Sequence, residues 1–339
     1  MSGSFAGGLI RLNGADRVTI DGLNTGGNSL TVSNTSTTNP SATIHLLPTG
    51  ILEAGASNNT IRNLNIVGGA NTLNVVGIAI SGSGIVNTAG QDNDGNTISG
   101  NTITKAYYAI YVRGSIDPAS AAMDNLVISN NTLGPASQGA DSLGLAGIYM
   151  YGANNPTVSG NTIRNITAGA GSSGGIYLVQ EVTGGSIANN TITNVTSAIN
   201  ASGTGSITGI YLGSLVSNLT VSGNKIQSVS NTLASGAGAR GIIANSEAAG
   251  IVIANNVISD IFCFAGTNSS GTNWPVGIHV ELASDALVKV YHNSVNLYGS
   301  HPGVNGVSGS AAMLVGGGVR PAASTSATTS SRTATTTRP

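Results

Sequence analysis

The sequence predicts an all-β solenoid in which short strands stack coil upon coil. Three observations lead there: two short motifs recur about every thirty residues, glycine interrupts every stretch that could otherwise be helical, and charge is scarce. Of 339 residues, 49 are Gly, 40% are hydrophobic and only 7% are charged, where roughly 25% charged is usual. A net charge of -1 argues against nucleic acid or an anionic membrane as partner. Recurrent Val, Ile and Leu exclude charge-driven disorder. The one cysteine, Cys263, leaves no internal disulfide framework and no cysteine-rich zinc site. No run reaches the roughly 18–20 apolar residues of a membrane span.

The first motif is apolar-x-[Gly/Asn]-Asn-x-apolar. It reads Ile98-Ser-Gly-Asn101-Thr-Ile103, Ile128-Ser-Asn-Asn131-Thr-Leu133, Val158-Ser-Gly-Asn161-Thr-Ile163 and Ile187-Ala-Asn-Asn190-Thr-Ile192. It continues as Val221-Ser-Gly-Asn224-Lys-Ile226, Ile253-Ala-Asn-Asn256-Val-Ile258 and Val290-Tyr-His-Asn293-Ser-Val295. The anchoring asparagines stand 30, 30, 29, 34, 32 and 37 residues apart. The second motif is Gly-Ile-x-apolar, starting at Gly77, Gly147, Gly175, Gly209, Gly241 and Gly277; Tyr108-Ala-Ile-Tyr-Val112 and Ala312-Met-Leu-Val315 fill the same slot.

Each block alternates with period two over three to five residues and is bounded by Gly, Asn or Ser, which predicts a short half-buried strand. One such set per thirty residues makes a solenoid coil, its inward Ile, Val and Leu forming files along the axis. The anchor Asn suits a left-handed corner, and its amide would bond to the Asn one coil on, about 4.8 Å away. Uneven spacing then reflects loops of different length on a fixed strand frame.

The Asn-Thr-Ile copies with Gly-Ile-Tyr strands between them resemble right-handed parallel β-helix repeats of the pectin-lyase-like type. Asn13-Gly-Ala-Asp-Arg-Val-Thr-Ile-Asp-Gly22 resembles a coil from large secreted bacterial β-helix proteins. The resemblance implies a single-stranded right-handed parallel β-helix over residues 10–319, of nine to ten coils, incomplete at both ends. Residues 1–9 are then a partial first coil or disordered. It also implies an extracellular or cell-surface location, although the start Met1-Ser-Gly-Ser-Phe-Ala-Gly-Gly lacks a signal peptide's basic start and apolar run. The missing coils of a longer protein would be partners of the open ends.

Arg320–Pro339 contains only Ala, Ser, Thr, Pro and Arg, the composition of a disordered linker. It is also what a GC-rich gene yields one base out of frame. Undoing that slip gives Ser324–Ser331 the pattern of Ile251–Ile258, with the anchor at Thr329, 36 residues after Asn293.

Function is less legible than fold. The thirteen acids are Asp16, Asp21, Glu53, Asp92, Asp94, Asp117, Asp124, Asp141, Glu181, Glu247, Asp260, Glu281 and Asp285. They are scattered, and the polygalacturonase set of Asn-x-Asp, Asp-Asp, Gly-His-Gly and Arg-x-Lys is absent, as is a pectate-lyase set of calcium-binding acids with a basic catalyst. No residue is assigned a catalytic role. Asp94 and Asp124, about one coil apart, would be the pair to approach each other. Gln91-Asp-Asn-Asp-Gly-Asn96 begins like a calcium loop, which makes Asp92, Asp94 and Asn96 the candidate Ca2+ ligands, against the plainer reading of a polar loop capping a strand. His279 and Glu281 share one strand face, with His292 in the neighbouring strand pattern.

The most regular outward feature is the residue after Ile in the second motif: Tyr111, Tyr149, Tyr177, Tyr211, then Ile243 and His279. Exposed rings at coil spacing would stack on the C–H faces of a glycan; the plainer reading is a tyrosine ladder that shields the sheet or packs under a loop. Thr60, Thr102, Thr132, Thr162 and Thr191 read as another outward column, but an ice-binding plane needs two clean ranks and here Arg62, Arg164, Gln227 and Lys225 intrude. The leading functional expectation is a non-catalytic, stalk- or adhesin-like module that contacts polysaccharide through the tyrosine face. The alternative is a polysaccharide lyase or glycoside hydrolase, supported by the fold resemblance alone.

Overall fold

The computed structural model describes residues 1–23, 29–50, 55–72, 74–116, 122–168, 172–197, 207–233, 238–245, 247–263, 274–281, 287–298, 309–316 and 329–331. Glu53, Asp117, Asp285 and most of the Ser/Thr-rich tail lie outside them. Every described element is a strand, and the strands form three parallel sheets of 11, 11 and 9 members. The chain visits the sheets in rotation, as in Thr162–Ala168, Ser173–Thr183 and Ser186–Ala188 of the first, second and third sheets. The third sheet steps through about eight turns between its first strand and its last, in line with the expected nine to ten coils.

Apolar alternation fixes the interior. Ile61, Ile98, Ile128, Val158, Ile187, Val221 and Ile253 pair in register down the third sheet, each at most 1% exposed. A parallel file of Ile66, Ile103, Leu133, Ile163, Ile192, Ile226 and Ile258 runs down the first. Burying each such side chain contributes about 1.5–3 kcal/mol, and together they line one continuous core.

The two jobs expected of the corner asparagine are divided between neighbours. The residue before the anchor takes the left-handed conformation: Gly100, Asn130, Gly160, Asn189, Gly223, Asn255 and His292 all have φ between 54° and 66°. Asn and Gly alternate there for a steric reason. A Cβ on Gly160 would lie 2.5 Å from Asn130 Oδ1, so Asn130, and likewise Asn189, occupies the space left by the glycine one coil on.

The anchors themselves form a buried file from Asn101 to Asn293. Asn131 Nδ2 donates to Asn161 Oδ1 (3.0 Å) and to Ile98 O (2.9 Å), and the pattern repeats down the file. In the coil before Asn101 the slot holds Leu64, whose N–H donates to Asn101 Oδ1 at 3.1 Å, so the amide file begins at Asn101. At the other end, Thr329–Ser331 pairs with Asn293–Asn296 and sets Thr329 opposite Asn293.

The glycine of the second motif has a contact reason too. A Cβ on Gly147, Gly175 or Gly241 would fall 2.5–2.6 Å from the Cγ2 of Ile163, Ile192 or Ile258 and 2.5–2.8 Å from the carbonyl oxygen of the next glycine in the file. Leu9 and Thr43 hold this position in the first two coils, Thr43 bonding Val67 O at 3.3 Å. Ala109 is the exception farther in: it stands level with Gly147, and the residue in register with the facing Ile163 is Leu133, which carries no Cγ2 on a branched Cβ. Leu133→Ile is therefore expected to cost about 1–3 kcal/mol through overpacking, and Ala109→Gly in the same chain to restore most of it. Urea denaturation of the two single variants and the double reads this coupling; additive effects would contradict the contact.

Two sequence expectations are corrected by the register. Thr60 pairs with Thr97 in the third sheet, while Thr102, Thr132, Thr162 and Thr191 belong to the first. Arg62 likewise lies in the third sheet, beside Asp21 at 2.8 Å.

Candidate functional site

The outward face of the second sheet gathers nearly all the chemistry. One file crosses it rung by rung: Arg11, His45, Ala79, Tyr111, Tyr149, Tyr177, Tyr211, Ile243, His279 and Leu314. Strand alternation sends Ile148 and Met150 inward and Tyr149 outward, as the sequence predicts.

The tyrosines stack on one another. Ring centroids stand 5.8 Å apart between Tyr111 and Tyr149, 5.6 Å between Tyr149 and Tyr177, and 4.3 Å between Tyr177 and Tyr211, with planes within 15°. Expected exposure is corrected: Tyr111 is 2% and Tyr177 7% exposed, and only Tyr149 and Tyr211 are half-buried. The cover at Tyr111 comes from the segment after Ile80, where Ile85 packs in a second apolar cluster and Asn87 N–H donates to the Tyr111 hydroxyl at 3.1 Å. With the ring faces spent on each other, hydroxyls and edges remain for a ligand.

A polar rim follows two residues beyond Tyr111 and Tyr149 and, after a register shift, three beyond Tyr177 and Tyr211. Arg113, Tyr151, Gln180 and Ser214 align across four rungs, with the Arg113 guanidinium 4.3 Å from the Tyr151 ring centroid. The Tyr149 and Tyr151 hydroxyls lie 3.4 Å apart, and Asn245 Nδ2 donates to the Tyr211 hydroxyl at 3.1 Å. Burial pushes the Tyr149, Tyr177 and Tyr211 phenols up, so they remain protonated donors.

At the C-terminal end, Arg240 is 3% and His279 4% exposed. Arg240 Nε donates to His279 Nδ1 at 3.2 Å, and its Nη1 donates to Trp274 O at 2.6 Å. Since Nδ1 accepts, the imidazole is neutral with its proton on Nε2. Glu281 Oε1 lies 3.6 Å from the same Nδ1, so His279 and Glu281 share a face as predicted. His292 does not join them; it sits at a third-sheet corner with its ring edge against Tyr291. The Arg240 contact escaped sequence reading because it joins residues three positions out of register on adjacent rungs.

Burial, joined by Arg240, holds the His279 pKa down at about 4; burial with Arg11 does the same to His45, whose Nε2 meets Ser81 Oγ at 2.9 Å. An unfolded histidine titrates near pKa ~6.5. As pH falls, the unfolded chain therefore binds protons first, so stability present above pH ~6.5 is lost down to pH ~4, by about 3 kcal/mol for each histidine. Asp94 and Glu281, whose carboxyls are raised, act in the opposite sense. His279→Gln is expected to flatten the fall in urea midpoint between pH 7 and 4; an unchanged pH profile would contradict the assignment.

Asp94 and Asp124 also meet, through the Asp124 backbone. Asp124 N–H donates to Asp94 Oδ1 at 2.8 Å across adjacent coils, Asp124 Oδ1 is buried without a hydrogen-bond partner, and burial with Asp124 and Asp92 nearby raises Asp94. The calcium set is not brought together as one shell. Asn96 turns inward, its Oδ1 accepting Asn59 N–H at 2.8 Å and its Nδ2 donating to Ala56 O and Asn93 O, whereas Asp94 faces Asp124. Among the described residues no group of three or more His, Cys, Asp or Glu is placed to hold a metal. A cavity of about 200 Å³ beside this loop is lined by Pro48, Gly82, Thr88 and Gln91, and no titratable side chain lines it.

The family described as right handed beta helix region matches residues 49–295. No curated protein matches the sequence. Among solved structures, the chain is similar to the alginate lyase AlyF-OU02 in complex with G6, at 11% identity and a TM-score of 0.26, covering 89% of this chain and 79% of that one. It is also similar to the Agl-KA catalytic domain, at 10% identity and a TM-score of 0.28, covering 94% of this chain and 62% of that one.

Proposed function

This chain belongs to the right handed beta helix region family, and from that premise we propose that it is a non-catalytic, rigid glycan-contacting module of an extracellular or cell-surface protein. The observation that carries the reading is the second-sheet face: a coaxial tyrosine file edged by Tyr151, Arg113, Gln180 and Asn245, all half-buried. Half-buried hydroxyls and amides on a stiff frame lose little freedom when a sugar chain binds along them. The test keeps the file intact. Tyr149→Phe with Tyr211→Phe removes two hydroxyls and no ring, and it is expected to weaken retention on immobilised polysaccharide roughly tenfold, at about 0.5–1.5 kcal/mol per hydrogen bond. The melting temperature should stay near that of the parent. Parent-like retention would leave the file a purely structural ladder.

A second reading, a carbohydrate-active enzyme, has the Asp94–Asp124 approach in its favour, since burial and the neighbouring acids raise the Asp94 carboxyl, the direction a general acid needs. Release of reducing or unsaturated ends from polysaccharide, abolished by Asp94→Asn, would establish it.

A further inference from the structure

The C-terminal end of the tyrosine file carries a donor and acceptor set whose charges are unevenly disposed. Arg240 is turned inward onto His279 Nδ1, Ala239 O and Trp274 O. Its cation is therefore not offered to a ligand, although its charge offsets part of the burial that raises Glu281. Glu281 keeps 38% of its side chain exposed. Among the described residues no donor hydrogen-bonds its carboxylate, and its near neighbour His279 Nδ1 offers a lone pair already committed to Arg240. The proton of His279 is consequently on Nε2, which makes no hydrogen bond within the described chain. One rung back, just past the Ala244–Val280 pair, Asn245 donates to the Tyr211 hydroxyl and leaves that O–H to donate outward.

The geometry points to a subsite for a neutral sugar at Glu281, His279 and Tyr211, in which the Glu281 carboxylate accepts two adjacent hydroxyls of one pyranose. A carboxylate offers two oxygens with about four lone-pair sites, and a half-buried one without donors favours a ligand that brings them. A vicinal diol brings two without charge. His279 Nε2–H and the Tyr211 O–H then donate to ring or hydroxyl oxygens of the same or the next residue. A uronate would set its carboxylate against that of Glu281, and like charges at one site select against it.

The inference rests on the reading that this face contacts glycan, and the experiment separates the two. The full chain is passed over immobilised glucan, xylan and mannan, and over polygalacturonate and alginate at the same loading. Retention on at least one neutral polymer and none on the acidic ones is expected, with Glu281→Gln weakening neutral binding tenfold or more at an unchanged melting temperature. Equal retention on acidic polymers, or parent-like binding by Glu281→Gln, overturns the neutral-sugar subsite. Sensitivity to Tyr149→Phe with Tyr211→Phe would then still uphold glycan contact. No retention on any polymer overturns both.

Discussion

Asn161→Leu is expected to destabilise the protein by at least about 4 kcal/mol, among the largest effects a single side chain produces. The Asn161 amide takes part in four hydrogen bonds: Oδ1 accepts from Asn131 N and Asn131 Nδ2 at 3.0 Å, and Nδ2 donates to Ile128 O and Asn190 Oδ1 at 2.9 Å. Leucine has the same branched set of heavy atoms, is somewhat bulkier, and supplies none of these hydrogen bonds. The Asn131 N–H would be left buried without a partner, at about 1–3 kcal/mol, the Ile128 carbonyl would keep only its strand-ladder bond, and a break in the file interrupts the chain of polarised amides on both sides. Leu64 sits in the same slot in the natural sequence, but only as the terminal member, where no earlier amide needs an acceptor. An unfolding free energy of Asn161→Leu within about 1 kcal/mol of the parent would show that the amides do not bind the coils together.

Gly209→Val is expected to prevent folding at physiological temperature. Even the first added carbon would stand 2.5 Å from Ile226 Cγ2 and 2.6 Å from the Gly241 carbonyl oxygen. The side-chain clash is met by moving Ile226, but the backbone one requires neighbouring strands to separate, and the Ile210–Ile242 pairing lies next to it. Overpacking of a flexible core typically costs about 1–3 kcal/mol; here backbone, side chain and a branched Cβ add to one another. Gly209→Ala should fold with reduced stability, and Gly139→Ala, with no atom within 4 Å, should be neutral. Circular dichroism and thermal denaturation of the three separate these outcomes. A stably folded Gly209→Val would contradict the glycine contact.

The strand frame was legible because one residue class recurs at each slot, and parallel stacking converts sequence period into register: Ile128, Val158, Ile187 and Val221 align as the motif spacing requires. The division of labour at the corner was not, since Asn serves both the left-handed residue and the anchor and composition alone does not tell Asn130 from Asn131. The direction of the tyrosines followed from alternation, but their burial did not. Their neighbours across rungs are other tyrosines, and the cover over Tyr111 comes from Ile85 and Asn87 in a segment without repeat signal. Asn96 resembled a calcium ligand in sequence because Asp-x-Asp-Gly-Asn satisfies local spacing, whereas its partner Asn59 lies 37 residues away. The Arg240–His279–Glu281 cluster was half legible: the strand placed two of its members, and only the folded register supplied the arginine.

The most direct test of the second-sheet face is fluorine NMR of the chain with 3-fluorotyrosine at its nine tyrosines, titrated with a polysaccharide that it retains. The hydroxyl edges of Tyr149, Tyr151 and Tyr211 lie on the proposed contact line, while Tyr291 and Tyr298, 38% and 46% exposed, lie off it. Resonances of the first three should shift with the ligand and those of the last two should stay fixed. Shifts at Tyr291 or Tyr298 with Tyr149, Tyr151 and Tyr211 unmoved would place the glycan on another face.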